Sequence, residues 1–136
     1  MRDVEKYISR GRLAKRSGVN LETIRYYEKI SLMREPDRSA GGHRVYHEDD
    51  LHRLFFIRRC REMGFSLEEI RGLLSLVDGE QVSCKRVKNI ADTHIQNIRA
   101  KIADLKKIER TLSKLSANCS GKEVPECPII EALKAG

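Results

Sequence analysis

The chain is 136 residues long with a formal net charge of +7 and an isoelectric point near 9.4. That length suits one compact domain plus an extension, and 35% charged residues against 5% aromatic ones, with no Trp, suit helices better than a β-sandwich. Met1-Arg2-Asp3-Val4-Glu5-Lys6 lacks the apolar stretch of a secretory leader and no run approaches a membrane span, so a cytoplasmic protein without a membrane partner is expected.

The basic balance favours a polyanionic partner. It does not locate one: residues 1–76 carry 16 Lys and Arg against 12 Asp and Glu, and residues 77–136 carry 11 against 8. In a reducing compartment the four cysteines read as metal ligands or redox groups, not as disulfides.

Gly11-Arg12-Leu13-Ala14-Lys15-Arg16-Ser17 predicts a short helix with Leu13 and Ala14 facing inward. Gly18 suits a left-handed residue closing it, and Asn20 offers an N-cap oxygen to a second helix carrying Thr23, Arg25 and Tyr26. A helix, a Gly-containing turn and a capped helix make helix-turn-helix spacing. An ordinary solvated helical hairpin has the same spacing.

Residues 34–46 add a turn, a Ser39-Ala40-Gly41-Gly42 tip and an alternating His43-Arg44-Val45-Tyr46 strand. Such a wing would bring Arg38, Arg44 and Tyr46 to backbone phosphates, contacts that position a protein and weaken with salt.

Glu48-Asp49-Asp50 place negative charge where a helix dipole favours it, ahead of an apolar stripe of Leu51, Leu54, Phe55 and Ile57. Cys60 falls within that helix and reads as a small core residue. Ser66-Leu67-Glu68-Glu69 is a capping box opening a further helix through Leu76.

From Val87 onward the apolar positions are Val87, Ile90/Ala91, His94/Ile95, Ile98, Ile102, Leu105, Ile108, Leu112, Leu115 and Cys119. Steps of three and four make a coiled-coil seam, which a lone helix of about 30 residues cannot bury. Self-association through it is expected. His94 has no Cys or His at helical neighbour spacing and reads as a packed residue.

Two further thiols, Cys119 and Cys127, flank a loop containing Gly121 and Pro125 and followed by Pro128. Cys84 stands at the other end of the helical segment, about 50 Å away at roughly 1.5 Å per residue. One chain cannot gather all three thiols, but two antiparallel chains can. Soft thiolates select soft ions, and four-coordinate Zn²⁺ would want a further ligand.

Gly18 to Glu28, Gly41 to Tyr46 and Met63 to Ile70 together closely resemble the MerR family of bacterial regulators. One departure is Ser31, which stands where these proteins commonly carry Gly after the recognition helix. The resemblance implies a mainly all-α fold: a winged helix-turn-helix domain over residues 7–76, an antiparallel coiled-coil dimerisation helix over 84–118, and a metal-binding loop and C-terminal segment over 119–136. Residues expected at DNA are Arg16, Ser17, Asn20, Thr23, Arg25, Tyr26, Arg38, His43, Arg44 and Tyr46.

Within the family, Cys at position 84 marks sensors of divalent ions, whereas sensors of Cu(I) or Au(I) usually carry Ser there. Three thiolates with no further Cys or His in the loop or tail resemble most the mercury-responsive members. Cys84, Cys119 and Cys127 would then hold Hg(II) across a homodimer. Pb(II) sensors share the trio, and Cd(II) and Zn(II) sensors tend to add ligands. The seven residues between Cys119 and Cys127 match the copper branch better. The implied activity is regulatory, not enzymatic: binding a palindromic operator on double-stranded DNA, and distorting it for RNA polymerase when metal binds. A thiol-redox regulator is the competing reading.

Overall fold

The computed structural model describes residues 7–79, 82–123 and 126–136. The elements run β1 (Ile8–Ser9), α1 (Arg10–Ser17), α2 (Leu21–Lys29), β2 (Asp37–Arg38), β3 (Arg44–Tyr46), α3 (Glu48–Glu62), α4 (Leu67–Val77), α5 (Cys84–Ala117) and α6 (Pro128–Lys134). They form two units divided between Ser83 and Cys84. Mainly helical architecture with a small winged sheet and one long helix is what the sequence led us to expect.

In the first unit the local signals act as anticipated. Asn20 Oδ1 accepts from the Thr23 backbone N–H at 2.8 Å, starting α2. Gly18 closes α1 in the left-handed region (φ 73), its N–H bonded to the Ala14 carbonyl. A Cβ there would also meet the Arg58 guanidinium at 2.2 Å, which donates to the Ser17 carbonyl. Ser66 and Glu69 cap each other's backbone at the start of α4. The core gathers Leu13, Ile24, Leu54, Ile57 and Ile70, all at 0% exposure, with Leu32, Met33 and Leu51. Cys60 is buried among them at 4%, and that burial pushes its thiol pKa up. It is a core residue, as expected.

The sheet has two strands beyond the one anticipated, β1 and, within the segment read as a turn, β2. β3 lies between β1 and β2, both antiparallel to it, with Ile8 opposite Tyr46 and Arg38 opposite Arg44. A two-residue strand carries no alternation, so β1 left no trace in the sequence pattern.

Ser31 adopts φ 61, the only non-glycine in the left-handed region among the described residues. Its departure from the family pattern therefore sits where glycine is favoured. Ser31→Gly is expected to stabilise the first unit by about 1 kcal/mol, the relieved strain exceeding the extra unfolded-state entropy of glycine. Urea unfolding at matched m-value reads this, and an unchanged or lower midpoint would refute it.

In the second unit α5 begins at Cys84 and runs unbroken to Ala117. Ile95, Ile98, Ile102, Leu105, Ile108 and Leu112 are all exposed along it. His94 is buried. The segment after Cys127 forms α6, with Pro128 in its first turn. Among the described residues no helix is long and apolar enough to cross a membrane.

Candidate functional site

Two sets of residues stand out, one in each unit. In the first, α2 is fixed from within by Ile24 and Tyr27, both buried, which leaves Arg25, Tyr26 and Lys29 exposed on its outer side. Thr23 is half-buried and Asn20 exposed, its Oδ1 already used as the cap. Arg38 and His43 are exposed on the wing, and Arg38 donates to the Gly42 carbonyl at 3.0 Å, bracing the tip.

Between α2 and the wing lies an open cleft of about 810 Å³. Arg25, Lys29, Arg34, Arg38, Arg44 and Arg53 line it, against Glu28, Glu35 and Asp78. Cations in excess around a cleft of this width create the field that draws a phosphate backbone. Lys29, Arg34 and Arg53 were not anticipated. The four-residue step from Arg25 to Lys29, which puts both on one helix face, was the one available signal; Arg34 and Arg53 reach the cleft only through the tertiary fold.

Two residues expected at DNA are committed elsewhere. Ser17 is fully buried, its hydroxyl donating to the Ala14 carbonyl at 3.3 Å and accepting from the Val19 N–H at 3.1 Å. It builds the turn and cannot reach a phosphate. Tyr46 is also fully buried. Its hydroxyl donates to Glu28 Oε2 at 2.5 Å and accepts from Arg10 Nε at 3.3 Å, while Arg10 also pairs with Glu28 at 3.2 Å. Burial, then the Glu28 carboxylate, raises the Tyr46 pKa. Tyr46 thus ties the wing to the recognition helix instead of touching DNA. Arg16 is exposed but paired with Glu48 at 2.8 Å, and that guanidinium lowers the Glu48 pKa. A solvent-exposed pair of this kind contributes little and yields readily to a phosphate.

In the second unit Cys119 follows the end of α5 and Cys127 caps α6. The Cys127 thiol lies near the backbone N–H groups of Ile130 and Ile129 at the start of α6 and, more weakly, near the free Cys119 thiol. These contacts lower the Cys127 pKa by stabilising the thiolate, the form that binds metal. The fold therefore brings Cys119 and Cys127 together. Cys84, the first residue of α5, is exposed and lies a full helix away, about 50 Å for a straight helix. Among the described residues no three His, Cys, Asp or Glu side chains cluster in one chain. Two thiols that interact, one biased to thiolate, fit a soft ion, and Cys84 at the far end of α5 does not join them within one chain.

Comparison with known proteins places these features in context. Residues 8–77 match the family described as MerR HTH family regulatory protein, and residues 51–115 match that described as MerR, DNA binding. The mercuric resistance operon regulatory protein of Bacillus cereus is 46% identical over 124 residues, 90% of this chain and 94% of that one. The lead(II) complex of the transcription regulator PbrR691 from Ralstonia metallidurans CH34 has a TM-score of 0.80 at 40% identity, covering 93% of this chain and 98% of that one. The mercury(II) complex of the dual-function regulator MerR from Bacillus megaterium MB1 has a TM-score of 0.71 at 43% identity, covering 89% and 94%.

Proposed function

The chain belongs to the MerR family of metal-responsive transcriptional regulators, and from that premise we propose that it is a homodimer whose effector is Hg(II), held by Cys84 of one chain and Cys119 and Cys127 of the other. The observation that carries this reading is the placement of the thiols. Cys119 and Cys127 are adjacent, while Cys84 opens a helix whose apolar seam is exposed along its length. Pairing two such helices antiparallel buries the seam and delivers Cys84 to the partner's thiol pair in one step. Seam, loop and third thiol then have one common explanation.

Two helix-turn-helix units related by a two-fold axis suit a palindromic operator. Arg25, Tyr26 and Thr23 would face base edges and phosphates, with Asn20, Arg16, Lys29, Arg38, His43 and Arg44 positioning the backbone. Metal acts as a switch only if it binds one dimer geometry better than another. Ligating all three thiolates fixes two chains relative to each other, which supplies that difference. The distorted operator then serves RNA polymerase. Regulation resides in this linkage, and no catalytic residue is required.

Arg25→Ala is expected to weaken binding to a duplex selected from a random pool by roughly 10-fold or more, with and without metal alike, since it removes a charged contact worth about 1–3 kcal/mol. Fluorescence anisotropy reads the affinity. An unchanged dissociation constant would remove α2 from the interface.

The metal assignment is tested by ultraviolet titration of the reduced dimer with Hg(II) in excess competing small thiol. A saturable thiolate charge-transfer band that is lost in Cys84→Ser supports it. A second reading has its own motive: the seven-residue Cys119–Cys127 spacing and the adjacency of those thiols suit a two-coordinate Cu(I) or Au(I) site within one chain. A titration unaffected by Cys84→Ser would favour that reading. Pb(II), Cd(II) and Zn(II) enter the same titration as competitors, and near-stoichiometric metal retention by the reduced protein would argue against a reversible Cys119–Cys127 disulfide switch.

A further inference from the structure

The end of the recognition helix is held by two arginines from elsewhere in the first unit. Arg71 of α4 donates through Nη2 to the Ile30 carbonyl at 2.6 Å. Arg53 of α3 donates through Nε to the Leu32 carbonyl at 2.8 Å. The same Arg53 guanidinium donates through Nη1 to Asp78 Oδ1, also at 2.8 Å. Asp78 is the C-cap of α4 and precedes Cys84 by six positions. Between these clamps lies Ser31 in its left-handed conformation, followed by Leu32 and Met33, both buried.

We propose that Arg53 is the positioning residue through which metal occupancy at the Cys84 end reaches the recognition helix, with Asp78 as its handle. The inference rests on the metal-sensing reading above. Its geometry is particular. A guanidinium is planar and offers donors in a fixed fork, so its two bonds cannot move independently. Displacing Asp78 therefore either drags the guanidinium, and with it the Leu32 carbonyl, or breaks one of the two bonds. The Arg53 side chain is 20% exposed and its bond to the Leu32 carbonyl is part-buried, so solvent replaces that bond poorly, whereas the Asp78 end, 54% exposed, is the one free to move.

A second observation points the same way. Arg53 and Asp78 both line the cationic cleft beside Arg25, Lys29 and Arg44. Asp78 is thus the acidic partner that offsets Arg53 inside the surface offered to phosphate. Moving it changes both the direction of α2 and the charge presented by the cleft. Ligation of Cys84 by the partner's thiols acts on a backbone joined to Asp78 by five intervening residues, and the clamp converts that into a change at the DNA face. Allosteric coupling requires a two-state element that both sites bias, and the proposal assigns that role to this clamp.

Hydrogen-exchange mass spectrometry on the full-length reduced dimer, without and with one Hg(II) per dimer, tests this. In the wild type, metal is expected to change exchange of the 28–33 amides beyond any change in the 51–60 amides of α3, which report global stabilisation. Asp78→Ala should load the same metal and keep the α3 change, yet lose the extra change at 28–33. Arg53→Lys, which keeps the charge but cannot serve both acceptors, should behave likewise. Retention of the full 28–33 response in Asp78→Ala overturns the proposal, as does a wild type that loads Hg(II) without that response. A wild type that fails to load Hg(II) at all brings down the mercury reading and this one with it.

Discussion

Cys84→Ser is expected to abolish the response to Hg(II) while leaving operator affinity unchanged. A serine hydroxyl does not ionise near neutral pH and is a poor ligand for a soft ion. The pair Cys119 and Cys127 remains intact, because its contacts lie entirely around the loop and α6. The variant should therefore still take up metal, but in a two-thiolate site that engages a single chain. What disappears is the link between chains, and with it the differential affinity for one dimer geometry. Coupling energies of about 1–3 kcal/mol are typical of such switches, and all of it is lost here. Transcription in vitro from the selected duplex placed within a promoter should stay at its metal-free level at every Hg(II) concentration. The charge-transfer band expected of the wild type should be absent. DNA affinity should not change, since the helix-turn-helix and wing belong to the first unit and Cys84 to the second. A Cys84→Ser protein that still responds to Hg(II) would place the effector site within one chain. One that no longer binds DNA would show that Cys84 is structural.

Cys127→Ser separates the roles further. It removes the thiol whose ionised form the Ile130 and Ile129 N–H groups favour, so uptake itself should fail under competing thiol. The lowered Cys127 pKa also has a pH consequence. Metal replaces a proton on each thiol, so uptake at Cys127 should persist to lower pH than uptake through an ordinary thiol.

How much of this was legible in the sequence follows from the range of the interactions involved. Asn20, Gly18 and the Ser66–Glu69 box act over three or four residues, so their pattern and their effect coincide. The seam was equally legible, because its periodicity runs along the whole of α5. Tyr46 and Ser17 misled for a definite reason. A donor on a short strand or at a helix end reads alike whether it faces solvent or the core. Only tertiary packing put Tyr46 against Glu28, 18 positions away, and Arg10, 36 positions away. The Arg53 clamp was invisible on the same ground, its acceptors lying 21 positions before it and 25 after it. Lys29 was the exception, one helical step beyond Arg25 and open to notice.

Ile102→Asp is expected to convert the dimer to monomer and to eliminate binding to the palindromic site. If Cys84 of one chain meets Cys119 of the other, the two-fold axis crosses each helix midway between them, at positions 101–102. Ile102, a seam residue exposed in the single chain, would then lie against its own copy. Aspartate there buries two carboxylates side by side, each carrying an effective desolvation penalty of several kcal/mol, with their mutual repulsion added. A combined cost of about 6 kcal/mol corresponds to more than 10⁴-fold in the dimer dissociation constant. Sedimentation at micromolar protein should show monomer, and helical circular dichroism should fall because a solitary amphipathic helix is marginal in water. The same substitution at Lys107, outside the seam, should leave the dimer intact. Cross-linking tests the register independently, in a background with Cys84, Cys119 and Cys127 changed to Ser. Ile102→Cys should oxidise to a covalent dimer, since facing Cα atoms on the axis come within disulfide reach. Leu112→Cys alone should not, because the antiparallel register sets it opposite Ala91; the Ala91→Cys, Leu112→Cys double variant should cross-link. Covalent dimer from Leu112→Cys alone would indicate parallel helices, and Cys84 could then never reach the partner's loop.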